Sequence, residues 1–181
     1  MRRTVLVLCS AFLAACSPLT SNEGTSVSSE QSSVAPPADQ GLPIDAVAEV
    51  PRDANVPCPY LDTNWVADTN GQKVTSQGID ERFDTPACVF WSYQDDPQLQ
   101  VIVRHMADEQ QAVDVVNWAA PINETEPAEE PEGWSGGRLG SEGRSLYAVQ
   151  KGNVAVVVFS NQGQSIKVEL VAKEVIARLG L

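Results

Sequence analysis

The fold class is decided by residues 145–159, which read SLYAVQKGNVAVVVF. Apolar and polar side chains alternate along residues 145–150, as they do in a β-strand. Residues 154–159 are apolar almost without interruption, which is typical of a central strand that is covered on both sides. The tripeptide Lys151-Gly152-Asn153 between them predicts a tight hairpin turn. This stretch therefore predicts an antiparallel hairpin in the middle of a buried sheet.

A second hairpin is predicted upstream of the first. Residues 88–93, CVFWSY, are rich in aromatic and β-branched side chains, and residues 99–104, LQVIVR, alternate. The turn Asp95-Asp96-Pro97 joins the two segments. Two weaker segments, residues 73–79 and the short glycine-rich residues 136–140, bring the expected sheet to five or six strands.

Three helices are predicted around these strands. Residues 59–69 begin with Pro59, which suits a first helical turn. Residues 108–120 and 165–179 carry apolar stripes at helical spacing, the latter with Ser165 as its N-cap. The order is one helix, three strands, one helix, three strands and one helix. It indicates an α+β fold, an open antiparallel sheet of five to six strands with helices packed on it.

The segment between the second helix and the last strands is strongly acidic. Residues 121–134, PINETEPAEEPEGW, contain three prolines and five glutamates. This composition predicts a mobile acidic loop. The glutamates lack the fixed geometry of a calcium loop, so a solvated run of charge is the favoured interpretation.

The start of the chain, MRRTVLVLCSAFLAAC, has the layout of a bacterial lipoprotein signal. Two arginines precede an apolar run, and Leu13-Ala14-Ala15-Cys16 matches the lipobox. We expect residues 1–15 to be removed and Cys16 to carry diacylglycerol, with a fatty acid such as palmitate on its amino group. The run is too short for a transmembrane helix, which needs about 20 residues. Secretion after cleavage, without a lipid, is the other alternative.

The mature chain is expected to have two parts. Residues 16–56 are poor in aromatic side chains and rich in Ser, Pro, Ala and acidic residues, which predicts a lipidated cysteine followed by a flexible tether. Such a tether would reach about 35 Å. Residues 57–181 are then a single globular α+β domain.

The charge balance limits the partners of this chain. It has 12 Lys and Arg against 24 Asp and Glu, and loss of Arg2 and Arg3 with the signal leaves 10 against 24, a balance of −14. A chain this acidic is not expected to bind nucleic acid or anionic lipid headgroups. We expect membrane contact through the lipid on Cys16 alone, with the acidity serving solubility.

The four cysteines are distinguished by their positions. Cys9 leaves with the signal and Cys16 takes the lipid, so Cys58 and Cys88 remain. We expect a disulfide between them, because an extracytoplasmic compartment is oxidising. Closing a loop of about 30 residues would stabilise the domain by about 3.5 kcal/mol in the chain-entropy model. The chain has no Cys-x-x-Cys redox motif, and its single histidine argues against a zinc site.

No motif of catalytic residues stands out. His105 ends a predicted strand beside Arg104, and the chain has no G-x-S-x-G nucleophile elbow. We therefore expect His105 to be a plain surface histidine. The expectations that follow are no catalytic residues, no metal, no cofactor and no enzyme activity.

The candidate binding residues are Trp134, Arg138 and Arg144, in the glycine-rich stretch 133–145. An aromatic ring beside guanidinium groups on a flexible segment suits stacking on a sugar or pairing with a partner's carboxylate. Glycine-rich hairpin turns are the structural alternative for the same stretch.

Two resemblances extend this interpretation. The segments Cys58-Pro59-Tyr60-Leu61 and Cys88-Val89-Phe90-Trp91 together resemble an uncharacterised actinobacterial lipoprotein family, a domain of unknown function. That resemblance covers the folded domain and implies the lipid anchor and the disulfide, with no activity or site residues to transfer. The order of elements over residues 70–181 resembles a Mog1/PsbP-like sandwich.

We expect a cell-envelope lipoprotein on the extracytoplasmic face of the membrane. The favoured role is a non-catalytic binding or adaptor module, with an envelope protein or a glycan as its partner. The alternative is a carrier or sensor of a small apolar or lipidic ligand, held between sheet and helix. An envelope hydrolase is the third and least favoured hypothesis.

Overall fold

The computed structural model describes residues 41–181, apart from the side chains of Glu130 and Pro131. The predicted signal peptide, Cys16 and the tether up to residue 40 lie outside these residues. Within them, no helix combines the length and the apolar character needed to cross a membrane.

Seven strands form one antiparallel sheet in the described part of the chain, in the order β1-β2-β3-β7-β6-β5-β4. The strands are β1 Ser76–Asp80, β2 Ala87–Trp91, β3 Pro97–His105, β4 Glu126–Glu130, β5 Trp134–Ser141, β6 Arg144–Lys151 and β7 Val154–Ser160. The helices are α1 Thr63–Asn70, α2 Glu109–Ala119 and α3 Ser165–Leu179, and a 3₁₀ turn spans Pro131–Gly133. The α+β class and the open antiparallel sheet are confirmed, but the sheet has seven strands where five or six were predicted.

The apolar run of β7 lies in the centre of the sheet, as predicted. Val156 and Val158 face a core that α1 and α3 cover, whereas Ala155 and Val157 face a second core under α2. Because successive side chains of a strand point to opposite faces, only an almost wholly apolar strand satisfies both cores. Residues 41–181 thus form three layers, with α2 on one face of the sheet and α1 and α3 on the other.

Helix α1 begins later than predicted. Its N-cap is Asp62, whose carboxylate accepts hydrogen bonds from the backbone N–H groups of Asn64 and Trp65, both at 2.9 Å. A carboxylate that caps the first free N–H groups is a stronger start signal than a proline, so Pro59 precedes the helix. Helix α3 matches its predicted bounds, but Gln164 occupies the N-cap position and Ser165 is the first helical residue.

The prediction of a mobile loop over residues 121–134 is wrong for the second half of this range. Strand β4 pairs with β5 from Glu126 opposite Arg138 to Glu130 opposite Trp134. Strand β4 is the edge of the sheet, where a proline and exposed charges are tolerated because one side of the backbone needs no partner strand. The acidic side chains of β4 therefore protect the edge of the sheet from pairing with another chain.

Part of the predicted tether packs on the domain. Leu42, Ile44, Ala46 and Ala48 contact the core under α2. The buried guanidinium of Arg104 donates hydrogen bonds to the backbone carbonyls of residues 42, 43 and 44. The folded unit therefore begins before the predicted boundary at residue 57.

Candidate functional site

The disulfide between Cys58 and Cys88 is confirmed, with an S–S distance of 2.03 Å and a Cα–Cα distance of 5.6 Å. It joins the segment before α1 to strand β2. The hydroxyl of Tyr60 donates to the carbonyl oxygen of Pro86 at 2.9 Å beside it. Burial is the main reason that the pKa of Tyr60 is raised, which keeps this hydroxyl a donor at every physiological pH. The disulfide and the tyrosine hold one end of the domain together.

The three candidate binding residues do not form one group. Trp134 is only 4% exposed and lies in the core that α3 covers. Arg138 is on the same face and pairs with Glu126 at 3.5 Å and with Glu169 at 3.4 Å. Arg144 begins β6 and lines a different cleft with Trp118 and Phe159, on the α2 side. The expectation of an exposed ring flanked by two guanidinium groups is therefore wrong.

His105 is not a plain surface histidine. Its Nδ1 lies 2.8 Å from Oδ2 of Asp84, and the two side chains are only 17% and 6% exposed. Asp84 belongs to the β1–β2 loop, so the pair ties that loop to the end of β3. The sequence gives no signal for this contact, because the two residues are 21 positions apart with unrelated patterns.

An apolar cleft lies between α2, the loop after it and the sheet strands β4 to β6. We call it the α2 cleft, and its volume is about 300 Å³. Its lining residues are Val113, Val116, Asn117, Ala120, Ile122, Thr125, Pro127, Ser135, Gly136 and Gln150. This volume is at the lower end of the range for ligand pockets, and it suits one apolar group.

One glycine of β5 allows the loop after α2 to pack beside the α2 cleft. Gly136 also lines the cleft, but a Cβ there would clash with the carbonyl oxygen of Ala148, so this glycine permits the close approach of β5 and β6. A Cβ on Gly137 would lie 2.7 Å from Oγ1 of Thr125 and 2.9 Å from Cβ of Ala120, so only glycine lets the loop after α2 approach the strand. Thr125 Oγ1 donates to the carbonyl oxygen of Pro121 at 2.8 Å, which fixes the loop. The glycine-rich stretch is thus mainly strand β5, and the loop after α2 packs against it. The structural alternative predicted from the sequence was hairpin turns alone.

The chemistry of the α2 cleft is apolar with amide groups at its base. Val113, Val116 and Ala120 form one wall, and Ile122 is 84% exposed at the rim. The Nε2 of Gln150 donates to Ser135 Oγ at 3.4 Å, while its Oε1 is buried and has no partner among the described residues. A ligand that brings an N–H or O–H donor would satisfy that oxygen.

The surroundings of the α2 cleft are acidic. Glu124 is exposed on the neighbouring loop, and Glu129 is exposed on β4 opposite Ser135. Opposite charge across an interface steers association and favours the correct partner. The cleft is therefore suited to an apolar group carried by a basic partner. In residues 41–181, no cluster of three or more His, Cys, Asp or Glu side chains is placed to hold a metal ion.

Comparison with known proteins identifies a family but no function. The extracellular domain of PknH from Mycobacterium tuberculosis is similar over 66% of this chain and 92% of its own, with 11% identity and a TM-score of 0.37. That similarity is too weak to carry an argument, so the Mog1/PsbP-like sandwich stays a prediction. No curated protein matches the chain. Residues 42–181 match the family described as "Domain of unknown function (DUF2020)", and the chain belongs to this family, which confirms the predicted membership of a family of unknown function.

Proposed function

We propose that this chain is a non-catalytic binding module, held on the extracytoplasmic face of the membrane by a lipid on Cys16. Its α2 cleft receives an apolar side chain from a basic segment of an envelope protein. The observation that carries the proposal is the cleft itself, with apolar walls, the exposed Ile122 at its rim and a buried unpartnered oxygen at its base.

The extracytoplasmic location is supported by two independent features. The first 16 residues read as a lipoprotein signal with its own lipobox cysteine. The disulfide between Cys58 and Cys88 fits an oxidising compartment, because thiols in the cytosol are kept reduced. Together they favour a domain that folds after export and stays attached through its first mature residue.

A protein partner is favoured over a glycan. None of the residues that line the α2 cleft is aromatic, so the cleft offers no ring on which a sugar would stack. Its acidic rim and its unpartnered acceptor instead suit a polypeptide, which brings backbone N–H donors and can carry basic side chains.

The non-catalytic role is supported by where the titratable groups lie. His105 and Asp84 contact each other at the end of β3 and do not line the α2 cleft. An envelope hydrolase that uses the single histidine of the chain would need His105 to contact substrate. His105→Gln should therefore leave unchanged whatever activity the chain shows on ester, peptide and glycan substrates. A specific activity that this variant abolishes would overturn the proposal.

The anchor is tested by metabolic labelling with an alkyne-bearing fatty acid. We expect the label on the wild-type chain and on Cys9→Ser, because Cys9 is discarded with the signal. Cys16→Ser should carry no label. A wild-type chain without fatty acid, or one found in the cytosol with Cys58 and Cys88 reduced, would contradict the proposal.

The cleft is tested by selecting short random peptides displayed on phage against the wild-type chain. We expect enrichment of peptides with a large apolar residue next to Lys or Arg. Ile122→Glu should lose these peptides, whereas Leu170→Glu, at a 47% exposed position on α3, should keep them. Peptides that bind both variants equally well would show that the α2 cleft is not the binding surface.

A further inference from the structure

A second groove lies on the opposite side of the sheet, at the end of α3. It runs between the 3₁₀ turn and the last two turns of the helix, and its volume is about 630 Å³. We call it the α3 groove. Its walls are mainly apolar and include Trp134, Ile176, Ala177 and Leu181, and its two charged lining residues, Glu132 and Lys173, are exposed. Its size lies within the range of ligand-binding pockets.

The α3 groove contains a buried hydrogen-bond donor that the domain itself does not use. Trp134 lines the groove and is 4% exposed, and its indole Nε1 has no hydrogen-bond partner in the described part of the chain. Buried polar groups nearly always have a partner, so this unpaired indole N–H suits an acceptor that a bound molecule brings. Because the indole N–H only donates, that acceptor must be an oxygen or a similar atom.

A lysine lies over the face of the same ring. The Nζ of Lys151 lies 5.6 Å from the centre of the Trp134 ring, over its face. Lys151 has no carboxylate partner among residues 41–181. Lys173 also lines the groove, and its Nζ is 2.7 Å from Oε1 of Glu169. Lys151 is therefore the ammonium group that a bound anion would meet beside the indole.

We infer that the α3 groove binds an amphiphilic carboxylate, a molecule with an apolar chain and an anionic head. The chain lies along Ile176, Ala177 and Leu181. The head accepts a hydrogen bond from Trp134 Nε1 and is neutralised by Lys151. An alcohol with the same chain length would contact the apolar walls but would leave Lys151 without a counter-charge. This inference does not depend on the α2 cleft, which lies on the other face of the sheet.

The test follows the indole N–H resonance of Trp134 by NMR while sodium dodecanoate is added below its micelle concentration. The protein is the chain from residue 16 with Cys16→Ser, so that its own lipid does not compete. Trp134→Phe identifies the resonance. We expect a saturable shift of this signal, and a dissociation constant about tenfold weaker for dodecanol than for dodecanoate, because the alcohol makes no charge-assisted contact.

Two variants locate the contact. Lys151→Gln should weaken dodecanoate about tenfold, whereas Lys73→Gln, at an exposed lysine before β1, should bind as the parent does. Ala177→Phe places a ring in the groove from an exposed helix position and should abolish binding without disturbing the core. The inference is overturned if dodecanoate leaves the Trp134 signal unmoved, if dodecanol binds as tightly, or if Lys151→Gln and Lys73→Gln bind alike.

Discussion

The guanidinium of Arg104 donates a hydrogen bond to the carbonyl oxygen of Leu42 at 3.1 Å, across 62 positions of sequence. The same side chain contacts the carbonyls of Pro43 and Ile44 and lies over the ring of Phe83, 5.6 Å from its centre. Desolvation by burial lowers the pKa of Arg104. The backbone carbonyls compensate for this loss of water, so one charged residue fastens the N-terminal segment to the sheet.

Arg104→Met should release that segment. We expect a loss of about 2–3 kcal/mol in the free energy of unfolding, because several carbonyls lose a charged donor. Hydrogen exchange should also accelerate at residues 42–50 more than in β7. Urea denaturation and hydrogen exchange measure both effects. Arg144→Met, at an exposed arginine, is the control and should change stability by less than about 0.5 kcal/mol. Equal effects of the two variants would contradict this role of Arg104.

The disulfide should contribute measurably to stability. Replacing Cys58 and Cys88 together by serine should lower the free energy of unfolding by about 3.5 kcal/mol, since the unfolded chain regains the entropy of a 30-residue loop. Reductant should destabilise the wild-type chain by a similar amount and leave the double variant unchanged. Urea midpoints measured with and without reductant test this contribution. If reductant did not lower the midpoint of the wild-type chain, the disulfide would not stabilise the fold.

Gly137→Val should push the loop after α2 away from β5. The added Cβ would meet Thr125 Oγ1 at 2.7 Å and Ala120 Cβ at 2.9 Å, and a cost of about 1–3 kcal/mol in unfolding free energy is expected. Because the same loop lines the α2 cleft, peptides selected on the wild-type chain should bind the variant weakly. Ser141→Val, at the exposed end of the same strand, is the matched control. Unchanged peptide binding in Gly137→Val would separate the loop from the binding surface.

Asp80 should make stability depend on pH below about 4. Burial raises its pKa, but hydrogen bonds from the Arg82 side chain, 2.6 Å at Nη2, and from the backbone N–H of Glu49, 2.8 Å, outweigh burial and lower it. A carboxyl with a lowered folded pKa stabilises the fold above its unfolded pKa of about 3.9 and loses that effect as the pH falls through the folded value. Unfolding free energies across this window should fall more steeply for the wild-type chain than for Asp80→Asn.

Asp68→Asn provides the control for this pH dependence. Asp68 is exposed on α1 and belongs to no ion pair among the described residues. We expect this variant to follow the wild-type curve. A pH profile for Asp80→Asn that coincides with both would show that the contacts to Arg82 and Glu49 add nothing to stability.

The central hairpin and two of the helices are predictable because their patterns are local. The apolar run of residues 154–159 and the helical stripe of residues 165–179 each depend only on side chains that one element must bury. The disulfide is predictable because the predicted signal and lipid site account for Cys9 and Cys16, which leaves Cys58 and Cys88 as the one pair. Predicting these features requires no knowledge of which elements lie side by side in the fold.

Other features depend on distant residues or on misleading composition. Strand β4 reads as a loop because glutamate and proline have low strand propensity, and its place at the sheet edge overrides that propensity. The α2 cleft depends on the close approach of Gly137 and Thr125, and the spacing of residues in the sequence does not indicate this contact. One signal was available for the N-terminal segment: apolar side chains alternate at residues 42, 44, 46 and 48, as they do along a covered strand.

The most direct test of the α2 cleft as the functional surface is photo-crosslinking in intact cells, with a photoreactive amino acid at position 122 or at position 170. We predict a discrete crosslinked product from position 122 alone, whose peptide in mass spectrometry carries a large apolar residue beside basic ones. The product should disappear when Gln150→Leu removes the buried acceptor at the base of the cleft. Equal products from both positions, or none from position 122, would contradict the proposal.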